Sequence, residues 1–228
     1  MEFALLDASH LGTPTRRNFR RELDAELTAF DAKGGDLPPT RDYDGAVVTG
    51  SRSSVNDDEA WIDDLETWVA EALDRDVPVL GVCFGQQLLV DALGGEVESM
   101  STYELGYHQV HRTGDSRLLD GADEWFVAFT AHSDAVAELP PGAERLAENN
   151  FSLHAFRKGA AFGVQFHPDF DLETAKAAME YKDVDDGQIR RVLDQVQAGA
   201  DRQVADSKRV FENFERFARD RARDRVLA

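Results

Sequence analysis

Cys83 is the only cysteine in the chain. It stands in Pro78-Val79-Leu80-Gly81-Val82-Cys83-Phe84-Gly85-Gln86-Gln87, with a glycine two residues before it and another two residues after. An apolar strand that ends at one reactive residue and turns at once into a helix has the pattern of a nucleophile elbow, here with a thiol in place of a hydroxyl. Such a turn leaves no room for neighbouring side chains, which accounts for the glycines. The helix N-terminus supplies partial positive charge and favours the thiolate. A free cysteine is more commonly a small buried hydrophobe; the paired glycines and the strand–helix junction favour the nucleophile. A thiol nucleophile needs a base. His167 closes a second apolar run, Phe162-Gly163-Val164-Gln165-Phe166, and is followed by Pro168-Asp169. Two strand ends in one parallel sheet can bring His167 to Cys83, where an imidazole takes the thiol proton and later returns one to a leaving amine. Asp169 is placed to orient the ring as the third member of a triad. Acyl transfer also needs oxyanion donors. The backbone N–H of Phe84 is one, and the Gly50-Ser51-Arg52 loop after the preceding strand offers a second through Ser51.

The elements that must hold these residues follow from hydrophobic periodicity. Phe3–Ala8, Gly45–Thr49 and Val77–Val82 read as short strands, and Val77–Val82 is apolar throughout, as a strand buried on both faces should be. Between them, Phe19, Leu23, Leu27 and Phe30 fall on one helical face after Pro14. Trp61, Leu65, Trp68 and Leu73 mark a helix over Asp57–Arg75, and Phe84–Leu93 is a helix closed by Gly94-Gly95. This alternation predicts an α/β fold with a parallel sheet and helices on both faces. From about Val97 the pattern becomes His108–Thr113, Trp125–Thr130, Arg145–Glu148, Leu153–Arg157 and Ala161–Phe166, shorter strands that predict an antiparallel or mixed part of the same sheet. Asp171–Tyr181 returns to helix. Two amphipathic helices follow, one on Ile189, Val192, Leu193 and Val196 and one on Val210, Phe211, Phe214 and Phe217, with Gly199 between them. The chain is divided on this basis into residues 1–182 and a helical C-terminal extension, 183–228, which either packs on the body or serves a homo-oligomer contact.

Composition narrows the function. Lys+Arg is 25 against Asp+Glu 44, a net charge of −19. That charge repels phosphate backbones and anionic lipid, so nucleic-acid and membrane-surface binding are excluded. Only five of the basic residues are lysines. Acid excess with arginine in place of lysine predicts a halophilic protein, whose self-repulsion is screened by high salt. The N-terminus lacks a basic region and a signal core, and no apolar run approaches the ~18 residues of a membrane span, so a cytoplasmic location is expected. One cysteine excludes a disulfide or a thiolate zinc cluster. His108, His111 and His132 read as surface or loop histidines, since i and i+3 on a strand face opposite ways; no metal ligand set is expected. Neither a phosphate-binding loop nor a dinucleotide fingerprint is present, and no cofactor is expected.

Five segments together resemble class I glutamine amidotransferases, and most closely their GMP-synthase-like stand-alone members. They are Val48-Thr49-Gly50-Ser51 with Val55, Gly81-Val82-Cys83-Phe84-Gly85-Gln86-Gln87, Leu93-Gly94-Gly95-Glu96-Val97, Ala131-His132-Ser133-Asp134 and Gly163-Val164-Gln165-Phe166-His167-Pro168. The resemblance implies an open, mostly parallel flavodoxin-like sheet. It implies attack on the side-chain amide of glutamine or on a γ-glutamyl carbonyl, a glutamyl thioester, and release of ammonia or an amine. It assigns Cys83 as nucleophile and His167 as base, and puts Asp169 at the family's glutamate position. Ser51 falls on a glycine of the oxyanion loop, and Gln87, His132 and Ser133 fall on substrate-binding positions. Ser51-Arg52 replaces the family's usual Gly-Pro. Three functions are compatible with this reading: a glutaminase subunit serving a separate synthetase, a free-standing γ-glutamyl hydrolase, and a non-catalytic binding protein that keeps the fold.

Overall fold

Seven of the nine strands are runs of four to six residues, and all nine form one sheet. The computed structural model describes residues 1–40, 43–114, 116–180 and 186–227. In chain order the first half comprises β1 (Glu2–Asp7), α1 (Thr13–Glu22), β2 (Glu26–Asp31), β3 (Gly45–Val48), α2 (Ala60–Asp74), β4 (Val79–Val82) and α3 (Phe84–Ala92). The second half comprises β5 (Glu96–Arg112), β6 (Trp125–Glu138), β7 (Glu144–Glu148), β8 (Leu153–Lys158), β9 (Ala161–Val164), α4 (Leu172–Glu180), α5 (Asp186–Gln197) and α6 (Ala205–Leu227). The spatial order is β2-β1-β3-β4-β9-β8-β7-β5-β6. The pairs from β2 through β9 are parallel, and those from β9 through β6 are antiparallel. The fold is therefore α/β with a mixed sheet whose parallel half carries the first strands.

Helices cover both faces. On one side Phe19 of α1 and Val210, Phe211, Phe214 and Phe217 of α6 pack with Phe3, Val47, Leu80 and Phe162 in a single apolar core. On the other, Trp61, Leu65, Trp68 and Val69 of α2 and Leu88 and Leu89 of α3 pack on Ala4, Leu6, Val48 and Val79. A third cluster joins Val192 of α5 and Met179 of α4 to Leu105, Tyr107 and Phe129 of the long hairpin. The apolar face of α6 is thus buried in the same core as the parallel strands, and Gly199 separates α5 from α6 with φ 84°.

Two sequence expectations are corrected. The helical face expected to run from Phe19 to Phe30 stops at α1: the C-cap Leu23 is extended, with φ −101° and ψ 132°. Leu27 and Phe30 instead lie in edge strand β2, which pairs rung for rung with β1. The exposed edge of β1 gains a backbone partner that way, and tertiary pairing overrides the local spacing. The hairpin strands β5 and β6 are 17 and 14 residues long, far beyond the short apolar runs read from sequence. The extra length carries polar residues such as Glu104 and His132 that are buried because they partner each other. Tyr181, the end of the helix expected over Asp171–Tyr181, and the first residues of the 183–228 extension, 183–185, lie outside the described residues.

Candidate active site

Register places the candidate residues at one sheet edge. Val48 pairs with Gly81, and Val82 pairs with Val164. Gly50, Cys83 and His167 therefore emerge within three residues of neighbouring rungs, at the carboxyl ends of three adjacent parallel strands, where open α/β sheets form their clefts. Cys83 is the N-cap of α3 and has φ 53° and ψ −107°, a sparsely populated conformation for a residue with a side chain. Holding it there costs about 1–3 kcal/mol, which the surrounding packing must offset. The Cys83 N–H donates to Val164 O at 2.8 Å, and its carbonyl accepts from Gln87 N–H at 3.2 Å. A side chain at Gly81 would collide with the Gly85 carbonyl, and one at Gly85 with the Val48 carbonyl. The two glycines are therefore what let the elbow close.

His167 is buried beside Cys83. Its backbone N–H donates to Phe129 O at 2.8 Å, and Phe170 stacks on the ring with centroids 4.0 Å apart. Burial pulls the imidazole pKa down, but the Cys83 sulfur and the Asp169 carboxylate, acting by charge and as acceptors that face the ring, outweigh it and push it up to about 10. The site therefore favours an imidazolium beside the Cys83 sulfur. Asp169 Oδ1 lies 3.5 Å from His167 Nδ1, and neither atom completes a hydrogen bond of good geometry. The aspartate reaches toward the ring and stops short. Its backbone is fixed from α1: Arg21 Nη2 donates to Asp169 O at 2.8 Å, and Asn18 Nδ2 donates to Thr174 Oγ1 at 2.7 Å.

The loop after β3 closes the third side. A Cβ at Gly50 would lie 2.9 Å from His167 Cε1 and 3.5 Å from Cys83 Cβ, so only glycine lets this backbone sit against both. Thr49 Oγ1 accepts from Ala8 N–H at 3.0 Å and donates to Gly50 O at 3.2 Å. That contact anchors the Gly50 carbonyl, so the planar trans peptide points the Ser51 N–H the opposite way. Together these residues open onto a cleft of about 240 Å³, also lined by Arg52, Gln87, Tyr103, His132, Ser133 and Asp134.

The model of the class I glutamine amidotransferases matches residues 15–186. The chain belongs to this family. Among curated relatives of the chain, the GMP synthase (glutamine-hydrolysing) of Nostoc sp. is 36% identical over 128 residues, 55% of this chain and 23% of that protein. The enzyme of the same name from Aliivibrio fischeri is 31% identical over 149 residues, 63% of this chain and 27% of that protein. The chain thus spans about a quarter of the length of these relatives. A glutamine amidotransferase structure from Thermotoga maritima superposes with TM-score 0.78 at 21% identity, covering 94% of this chain and 97% of the other. The glutamine amidotransferase structure from Methylobacillus flagellatus gives 0.72 at 21% identity, covering 95% and 94%. These two likenesses establish the amidotransferase fold.

Not every singled-out residue behaves alike. Gln87 lines the cleft, but its Nε2 is committed to Asp134 O at 2.9 Å and Gln165 Oε1 at 3.1 Å. His132 is not the surface or loop histidine expected of it. It is a buried residue of β6, with Nδ1 2.8 Å from Asp134 O and Nε2 2.8 Å from Glu104 Oε2. Sequence reading missed Tyr103, which lines the cleft; burial and the Cys83 sulfur charge hold its hydroxyl well above the usual phenol range, against the opposing charge of Arg52. It lies in the polar stretch of β5, where no local pattern singles it out.

Proposed function

We propose that this amidotransferase hydrolyses the side-chain amide of glutamine or a γ-glutamyl amide through a thioester on Cys83. The observation that carries the reading is the strained elbow that holds Cys83 against a protonated His167. The Cys83 thiolate adds to the γ-carbonyl carbon, and the developing oxyanion takes the N–H groups of Phe84 and Ser51. The C–N bond then breaks, its electron pair leaving on nitrogen, which takes the His167 proton. Ammonia or an amine departs and a glutamyl thioester remains. Water attacks that thioester, His167 accepts its proton, and glutamate and the thiolate are released. Asp169 orients the imidazole, and Gln87, His132 and Ser133 shape the wall that receives the glutamyl group.

The acceptor is proposed in two forms. A separate synthetase would consume the ammonia; the long relatives are named GMP synthase (glutamine-hydrolysing). Alternatively the cleft releases an amine from a free γ-glutamyl substrate without a partner. The Thr49 anchor on the Gly50 carbonyl supports an oxyanion loop already set in the isolated chain, and hence the second form. The test is an electrophilic glutamine analogue mapped by peptide mass spectrometry, followed by assay of the pure protein on glutamine and γ-glutamyl amides at high salt. The expected adduct is on residue 83, and Cys83→Ala should lower turnover by at least about a thousandfold, on the order of 4 kcal/mol of barrier. Turnover kept within tenfold would refute a thioester at Cys83. A pure protein inactive on every amide but active beside a synthetase would refute the partner-free form.

A further inference from the structure

Behind the cleft wall, three side chains converge that the reaction does not use directly: Glu104 of β5, His132 of β6 and His154 of β8. All three are buried, and one ligand atom from each lies within 4.8 Å of the others. Glu104 Oε2 is 2.8 Å from His132 Nε2 and 3.4 Å from His154 Nε2. We propose that Glu104, His132 and His154 bind a single divalent transition-metal ion of the Zn2+ class.

The protonation chemistry leads there. His132 Nδ1 faces the Asp134 carbonyl at 2.8 Å, and a carbonyl only accepts, so Nδ1 carries a hydrogen. In a neutral ring Nε2 is then a bare lone pair, aimed at a carboxylate oxygen 2.8 Å away. At that distance a proton bridges the two atoms in the ion-free state, and a metal ion that replaces it takes both as ligands. Glu104 has no exposed side-chain surface, and its ion pairs among the described residues are with histidines only. A buried carboxylate without an arginine or lysine calls for another positive charge. His154 supplies the independent observation: it has no exposed surface, and neither of its ring nitrogens completes a hydrogen bond.

The surroundings fix the ligands as metal sites do. The second nitrogen of His132 is held by a backbone carbonyl, and Asn149 Nδ2 donates to Glu104 Oε1 at 2.6 Å, leaving Oε2 for the ion. Ligand atoms bound at about 2.0–2.1 Å in a tetrahedral set lie about 3.4 Å apart, which the His154–Glu104 spacing of 3.4 Å matches, whereas the His132–Glu104 spacing of 2.8 Å must open as the ion enters. Two imidazoles and a carboxylate suit Zn2+, Co2+ or Ni2+ rather than Mg2+ or Ca2+. The ion would hold β5, β6 and β8 together. Through His132 it would also fix the Asp134 carbonyl, which accepts from Gln87 in the cleft wall. This role is separate from the thioester chemistry, and the site stands or falls without it.

The test is titration of the metal-free full chain with Zn2+ or Co2+ by calorimetry, in a Cys83→Ala background so that the thiol does not compete. One ion per chain is expected, with visible ligand-field absorption for Co2+ and a rise in melting temperature that a chelator reverses. His154→Ala should weaken binding by at least about a hundredfold, and Asn149→Ala by about 10–100-fold. His111→Gln, on the outer face beside Trp125, should leave it unchanged. If His154→Ala fails to fold, X-ray absorption on the Zn2+ form decides instead: two imidazole ligands support the site, and one or none overturns it. Absence of stoichiometric binding overturns it too, as does binding lost in His111→Gln and kept in His154→Ala; a proton is then the cation between His132 and Glu104.

Discussion

The contact between His167 and Asp169 sets the finest level of control. At 3.5 Å the carboxylate faces the imidazole without a well-formed hydrogen bond, and the charge of the Cys83 sulfur is the largest of the influences that raise the ring's proton affinity. His167→Ala is therefore expected to cost far more in kcat/KM than Asp169→Asn, and Asp169→Glu, one methylene longer, should keep or raise activity by closing the gap. Steady-state kinetics of the three variants check this; a larger loss at Asp169 than at His167 would reverse the two roles. The ring's folded pKa of about 10 lies above the ordinary 6.5, so the imidazolium persists across that window. Its stabilising contribution is complete below 6.5 and fades as pH rises through about 10. A histidine NMR titration should accordingly show no inflection for the His167 ring near 6.5; an inflection there would remove the raised value from the account. Much of this was legible from residue types alone. Cys83 with its two glycines, and His167 at the end of an apolar run, need only a strand end and a helix start to be recognised. Glu104, His154 and Tyr103 were not legible, because their partners lie on other strands and no spacing in the chain announces them.

Among the elements, α2 and α3 meet through an acidic pair. Glu66 of α2 is pushed up to about 7, first by burial and then by its hydrogen bond to Asp91 of α3 and by the charges of Asp91 and Asp63. The folded state therefore holds this proton more tightly than the unfolded chain, whose value is 4.5. The associated stability is fully present below 4.5 and is lost as pH rises through about 7. The wild-type melting temperature should fall over that interval, and Glu66→Gln should flatten the slope; an unchanged slope would remove the pair from the account. At α6 the packing is apolar. Phe214 is fully buried, with edge contacts to Phe3 at 5.6 Å and Phe162 at 6.0 Å. Phe214→Ala should destabilise by about 3–5 kcal/mol, measured by denaturant unfolding. We propose that the division at residue 182 marks a change of sequence pattern rather than two folding units, and a single unfolding transition for the full chain is expected on that view. Element type was read correctly wherever one face is apolar, as in α2, β4 and α6. It failed at β2, whose leucine and phenylalanine mimic a helical face, and along β5 and β6, whose buried polar rungs hide an extended strand.

For the molecule as a whole, the net charge of −19 is the dominant long-range force. At 0.1 M salt the Debye length is about 10 Å and neighbouring surface carboxylates repel; at 1 M it is about 3 Å. We propose that the acidic surface is tuned to molar salt, so the melting temperature should rise substantially from 0.1 M to 1 M potassium chloride. A flat or falling curve, followed by circular dichroism, would remove the salt adaptation. The sheet order has a consequence for the growing chain. The last strand, β9, is inserted between β4 and β8, and His167 follows it, 167 − 83 = 84 residues after the thiol. At a synthesis rate of about 5–20 residues per second, those 84 residues take about 4–17 s to make. During that interval the nascent polypeptide carries Cys83 on a strand with one open edge and no base beside it. The proposed chemistry is therefore silent until His167 has been made, and insertion of a four-residue strand brings the base to the thiol.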